Sequence, residues 1–374
     1  MLSEFLRIPM LLLFASSCLA DEADDAQRAK DERVVQTVLR LTGFDLNSKP
    51  EAKAAVLRHL GRIEGDEKYL EIVDKLNLAA DAAPGLLRQA LARPDSSLGV
   101  NCVGLLLKAD QTAGLKQALA GKDEEAIAIL TALGLTGQPK ALGLVEPLIA
   151  DQDRSAAVRS AAVRALGKLP GGEKKLLEVV QAGKLPGDLK FAAANVLLNS
   201  ADGAIKTEAG KHLTLPATAD AKPLPTIPEL VKLSGDATAG QALFASEKAQ
   251  CAKCHTVNGQ GKDVGPNLSE IGSKLSKEAL YLSILDPSAG ISFNFETSQI
   301  VTTEGQVLQG IVVSDTAESV TLKTAEAILR VIPKDDIDEI TKLKISLMPQ
   351  DLQRQLTAQN LVDIVEYLAT LKKK

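Results

Sequence analysis

Along residues 26–212 the apolar positions fall into a succession of short helical segments rich in Ala and Leu. The same small-residue wording returns several times. It is clearest as Ala52-Lys53-Ala54-Ala55-Val56-Leu57-Arg58-His59-Leu60-Gly61 and Ala161-Ala162-Val163-Arg164-Ala165-Leu166-Gly167, with weaker copies starting near Leu98, Ala126 and Leu189. Small residues let neighbouring helices approach and the Leu and Val positions bury between repeats, while Gly134, Pro139, Pro170 and Pro186 punctuate the turns. At Leu213 the pattern stops. Pro216, Pro223, Pro225 and Pro228 stand among Ala, Thr and Asp with no helical period, which predicts a semi-extended linker over 213–228. In the last part of the chain, 229–374, helical spacing resumes. Asp236 is placed to cap a helix with Gly240 and Phe244 on one face. Thr357 is placed to cap another, with Leu361, Ile364, Val365, Leu368 and Leu371 at helical spacing, so that Tyr367 meets Phe244 where the two cross. Between them a helix ends at Pro287. Val, Ile and Thr then dominate residues 298–302, 306–313, 319–324 and 327–332, which predicts a small antiparallel β insert over 297–333.

Length and charge narrow the classes. A chain of 374 residues holds two domains, and a net charge of −5 with no Trp and 3% aromatics argues against a nucleic-acid surface. Residues 1–20 read as a signal peptide. A weak basic start at Arg7 is followed by a short apolar stretch from Ile8 to Phe14, and Cys18-Leu19-Ala20 precedes acidic Asp21. That stretch is too short to span a bilayer, so no transmembrane segment is expected in the mature chain. Cleavage after Ala20 and release outside the cytoplasm, in the periplasm or its equivalent, is the expectation, with acylation of Cys18 as a lipoprotein the alternative. Cys102 lies in an apolar run and reads as a buried, inert thiol.

The chemistry is concentrated in Cys251-Ala252-Lys253-Cys254-His255, the C-x-x-C-H spacing that attaches haem c. Two thiols one turn apart can each add to a haem vinyl group, and the adjacent imidazole can reach one face of the iron. A zinc knuckle would need a second ligand pair, and the other cysteines are Cys18 and Cys102. A thioredoxin-like dithiol would follow a strand in a βαβ pattern, which this stretch lacks. Once Met1 and Met10 leave with the signal peptide, the remaining methionine is Met348. Its thioether suits haem iron and Pro349 suits a rigid loop, against the competing reading of core filling. His59, inside a repeat helix, and His212, beside the linker, read as surface or core histidines.

Residues 26–212 resemble an array of HEAT-like repeats, although the spacing of about 30 residues is shorter than that class's usual period. The C-terminal part resembles class I cytochromes c. Gly265-Pro266-Asn267-Leu268 matches the loop packing on the His side of the haem, which makes Pro266 and Leu268 haem contacts by resemblance. Leu347-Met348-Pro349 matches the loop that delivers the sixth ligand. Over residues 236–372 the order G-x-x-x-F, C-x-x-C-H, G-P-N-L, D-P-S, strand-rich insert, S-L-M-P and a final Y-L helix resembles the planctomycete-type haem-binding cytochrome c domain. The expected fold is therefore mainly α: an N-terminal HEAT-like α-solenoid, then a class I cytochrome c-like helical domain with the β insert. The expected function is exported, monohaem, single-electron transfer, with iron held by His255 and Met348. The resemblance implies a redox protein partner, such as a periplasmic dehydrogenase or a respiratory component, docked by the repeats. The chain is thus read as an electron carrier and not an enzyme. The alternatives are a peroxidase-like haem enzyme with a labile Met ligand, or a repeat scaffold with a structural haem.

Overall fold

The computed structural model describes residues 9–373 apart from Thr42, Phe293 and Lys344, and for residues 9–23 the backbone path alone. Two compact units emerge, Met1–Gln138 and Pro139–Lys374.

The first unit is helical: α1 (Pro9–Val38), α2 (Pro50–Arg62), α3 (Glu67–Lys75), α4 (Ala83–Ala92), α5 (Ser97–Lys108), α6 (Ala113–Ala120) and α7 (Asp123–Leu135). Of the expected signal segment, residues 1–8 and the Cys18 side chain lie outside the described residues, and α1 runs from Pro9 through the expected cleavage point. Consecutive helices pack as neighbours, α1 on α2, α4 on α5 and α6 on α7, with α4 and α5 also on α7. Leu86, Leu106, Leu115, Ile129 and Leu130 bury completely between them. Asp66 and Ser96 cap α3 and α5 by accepting from the N–H groups of Lys68 and Gly99. Asp31 is wholly buried and bound by Arg58 at 2.7 Å and Arg62 at 2.8 Å, and these guanidinium partners hold its carboxyl well below the usual carboxylate range. Cys102 is buried as expected, and burial pushes its thiol up to about 12.

The second unit begins with the short α8 (Leu142–Val145) and α9 (Pro147–Ala150), then α10 (Ala156–Lys168), α11 (Gly172–Gln181), α12 (Lys190–Leu197) and α13 (Gly203–Ala209). It continues without a break in packing into α14 (Ile227–Val231), α15 (Ala237–Ala245), α16 (Lys277–Leu285) and α17 (Ala358–Thr370). The unit boundary therefore differs from the expected 213–228 linker. That segment is packed: Ala217 bridges to Pro223, Leu224 is buried, and the Ala219 N–H donates to the Leu356 carbonyl. The Ile227 N–H donates to Asn195 Oδ1 at 2.9 Å, and Phe191 of α12 packs on the core formed by α15, α16 and α17. The prolines here shape a fixed turn, because their restricted φ lowers the entropic cost of ordering it.

Asp236 and Thr357 cap α15 and α17 as expected, and Leu361, Ile364, Val365 and Leu368 are buried. Phe244 and Tyr367 meet edge to face, with ring centroids 5.8 Å apart. The two helices come so close that a Cβ on Gly240 would lie 1.9 Å from the Asp363 carbonyl oxygen. Only glycine fits that crossing.

The strands β1 (Thr297–Thr302), β2 (Val307–Asp315), β3 (Ser319–Lys323), β4 (Leu329–Pro333) and β5 (Ile337–Lys342) form one antiparallel sheet in the order β4-β3-β2-β1-β5. Ile300, Val320, Leu322 and Ile332 make its core. The insert extends past the expected 333, since β5 pairs with β1. Its Asp338, Glu339 and Lys342 hide the strand signal, as charge commonly does on an edge. Among the described residues no helix is long and apolar enough to cross a membrane.

α10 packs against the single turn Pro287–Ala289 that follows α16. Burial lifts the Asp286 carboxyl up to about 6, and Arg164 of α10 pulls in the opposite direction. The folded state thus keeps a proton that the unfolded chain has already lost between pH about 4 and about 6. Asp286 should therefore take away about 3 kcal/mol of stability as pH rises through that window, and Asp286→Asn should lack this contribution, so the two slopes differ. Chemical denaturation at pH 4, 5, 6 and 7 measures it, and equal slopes in the two proteins would refute it.

Candidate functional site

The Cys-x-x-Cys-His stretch is shaped by backbone before any ligand is considered. Gln250 adopts a left-handed conformation (φ 58°), which turns the chain out of α15 into a 3-10 turn at Cys251–Lys253. The N–H groups of Cys254 and His255 both donate to the Cys251 carbonyl, so thiols and imidazole leave one tight turn. The chain then folds back: Val264 and Gly265 donate to the Cys254 carbonyl at 2.9 and 2.7 Å, and Leu268 donates to the Thr256 carbonyl.

This return sets the histidine. Its Nδ1 lies 2.8 Å from the Pro266 carbonyl oxygen, so an Nδ1–H donates there and Nε2 keeps a free lone pair. Burial pushes the imidazole below its ordinary range, with the Pro266 contact opposing, which favours the neutral ring a metal needs. Burial likewise raises both thiols, Cys251 up to about 11, so they are protonated at neutral pH.

Cys251, Cys254, His255, Pro266, Leu268 and Met348 all line one cavity of about 330 Å³. Its walls are otherwise mostly apolar, from Phe244, Leu280, Ile284, Leu352, Ile364 and Leu368. His59 and His212 are not among its lining residues. His212 instead sits exposed, 3.5 Å from Glu208. The Met348 loop is fixed by short polar contacts: its N–H donates to Ser346 Oγ at 3.1 Å, and the Ser346 N–H donates to Ser288 Oγ at 3.1 Å. The sheet closes a further side. Ile311 and Ala325 line the cavity, and Lys323 Nζ binds Asp263 through its carbonyl at 2.7 Å and its carboxylate at 3.0 Å.

Three roles were not assigned from the sequence. Ser288 and the sheet residues gave no signal, since nothing in their spacing reveals which loop they face. Gly265 had one, a glycine directly before the Pro266 whose carbonyl the histidine uses. A Cβ there would stand 2.6 Å from His255 Cε1. Gly265→Ala should therefore tilt the ring off Pro266 and destabilise the protein by about 1–3 kcal/mol, the usual penalty of overpacking. Thermal unfolding together with the absorption spectrum of the haem-loaded protein checks this. An unaltered melting temperature and spectrum would show that the loop gives way instead.

Crossed α15 and α17 around an apolar cavity that carries C-x-x-C-H define the class: a cytochrome c-like domain. Comparison with protein families agrees, matching residues 237–307 to Cytochrome c. A search among curated proteins finds no match to the chain. The matched span holds α15, the cysteines, His255, α16 and β1, while Met348 and α17 lie beyond it. A domain of this kind implies haem c and haem-linked electron transfer. The residues present fit that group: an apolar cavity, two thiols at its edge, and a neutral imidazole whose second nitrogen is already engaged.

Proposed function

We propose that this chain is an exported monohaem c-type cytochrome that transfers single electrons, with haem c attached through Cys251 and Cys254. In this reading His255 and Met348 would hold the haem iron, Pro266 and Leu268 would line the His255 side of the cavity, and the periplasm is the site of action. The observation that carries it is the convergence of both thiols, the imidazole and the thioether on one apolar cavity. Bound haem supplies a one-electron iron couple, and a His/Met ligand set favours its reduced form. The chain's own residues do the rest. Pro266 orients His255 through the 2.8 Å contact, Ser346 and Ser288 hold the Met348 loop, and Phe244, Leu280, Ile364 and Leu368 keep water out. If His255 and Met348 both held the iron, the protein would leave no open coordination site for a substrate. That supports a carrier over an enzyme. The helical segment 26–212, HEAT-like in its sequence, serves in this proposal as the docking surface for a redox protein, a dehydrogenase or a respiratory component.

Production in the periplasm of a host that matures c-type cytochromes tests the reading. Wild type should be red, with covalent haem that survives denaturing electrophoresis, and Cys251→Ser combined with Cys254→Ser should lose that covalent stain completely. A colourless wild-type product beside a control cytochrome that matures normally would overturn it.

A further inference from the structure

Two half-buried charges, Arg164 and Asp286, belong to no step described so far. Arg164 lies in the middle of α10 with Nη1 buried and without a hydrogen-bond partner, and Asp286 Oδ2 is buried and equally unpartnered. α10 packs on the Pro287–Ala289 turn, and across that seam Arg164 favours the ionised Asp286 while Asp286 favours the charged guanidinium. A buried guanidinium or carboxylate alone is costly, and each charge here offsets part of the other's cost. Asp286 opens the turn, and its carbonyl accepts the Ala289 N–H at 2.9 Å. Pro287, Ser288 and Ala289 are all buried, and the Ser288 hydroxyl accepts from the Ser346 N–H at 3.1 Å and from Gln350 Nε2 at 3.4 Å. These two residues bracket Met348, whose own N–H is held by Ser346 Oγ.

We propose that Arg164 is a positioning residue for the haem site: paired with Asp286, it seats the Asp286–Pro287–Ser288 turn on α10, and Ser288 then holds the loop that presents Met348. The inference rests on the cytochrome reading only in assigning that loop to the iron. It gives α10, one of the two clearest repeat-like stretches by sequence, a role inside the haem unit. Packing alone would place α10 beside the turn, but it would not put two unpartnered, opposite charges there. From the Asp286–Ala289 turn the path runs through two hydrogen bonds, Ser346 N–H to Ser288 Oγ and Met348 N–H to Ser346 Oγ, and Arg164 acts on it through its charge.

The test uses the full-length, haem-loaded ferric protein and imidazole as a competing ligand, because imidazole binds only when Met348 lets go. Arg164→Gln and Ser288→Ala should each tighten imidazole binding about tenfold, the response to one lost buried polar contact. Combined, they should do little more than either alone, since both cut one path. Arg164→Lys, which keeps the charge, should stay near wild type. Arg58→Gln, which breaks a buried pair in the other unit, should leave imidazole affinity unchanged while lowering stability. If Arg164→Gln does not accumulate, Asp286→Asn reads the same link with the shape of the turn retained. Full additivity of the two changes, or no effect of Arg164→Gln beside a clear effect of Ser288→Ala, would overturn the proposal. Hydrogen exchange at the Ser346 and Met348 amides provides a readout independent of ligation: it should quicken in Arg164→Gln, and unchanged exchange also overturns the idea. A wild type that binds imidazole as tightly as Met348→Ala would instead refute Met348 as ligand, and the exchange result would still decide the tether.

Discussion

Met348→Ala should lose the near-infrared sulfur-to-iron band of the oxidised protein and lower its reduction potential by on the order of 0.1–0.3 V, part of the roughly 0.8 V range set by axial ligands. Covalent haem should remain, because Cys251, Cys254 and His255 are untouched. The physical cause is the thioether, a soft donor that stabilises ferrous over ferric iron, and water or a stray side chain in its place does not. Met348 is half-buried on the cavity wall and its loop is anchored from both sides, so the loop should survive loss of the side chain. Potentiometric titration and a near-infrared spectrum decide it. An unchanged band and potential would mean that a different group faces His255 across the iron.

Cutting the chain at two places should give opposite results. A secreted fragment Pro139–Lys374 should fold and mature haem at a yield near that of the full chain, because it is a compact unit with its own core. A fragment beginning at residue 229 should not. It loses Leu224, buried in the core around α15, α16 and α17, together with Phe191, Leu215 and Ile227, which pack against that core. It also loses α10 beneath the Pro287–Ala289 turn. Each large apolar side chain removed from a core costs about 2–5 kcal/mol, and a few such losses equal the roughly 5–15 kcal/mol that holds a domain together. Haem content per mole of fragment is the measurement. A stable, fully loaded 229–374 fragment would show that residues 139–228 merely lean on the haem domain.

Much of the site was legible in the chain itself. C-x-x-C-H is a local motif whose chemistry depends on spacing within one turn, so Cys251, Cys254 and His255 could be named together. The caps at Asp236 and Thr357, the buried face of α17 and the meeting of Phe244 with Tyr367 were also readable, because capping and helical period are properties of neighbouring residues. Four of the five strands announced themselves through Val, Ile and Thr. β5 did not, since an edge strand can be charged on both faces and still pair along its backbone.

The 213–228 segment marks where local reading fails. Proline density says that a stretch cannot be helix or inner strand, and it is silent on whether neighbouring residues find a core to enter. Leu224 does, and the expected linker becomes part of the haem unit. The same holds for Arg164, quoted in the sequence only as part of a repeat, whose Nη1 is buried in the structure. What the sequence by itself determined was the chemistry within one turn: the thiols, the imidazole beside them, the caps and the periodic faces. Tertiary structure alone decided how distant residues meet that chemistry: the Pro266 carbonyl on the His255 ring, Ser288 under the Met348 loop, the sheet as a cavity wall and α10 packed on the turn that carries Ser288. Burial and contact between segments far apart in the chain depend on how whole elements pack, and no window of neighbouring residues encodes that.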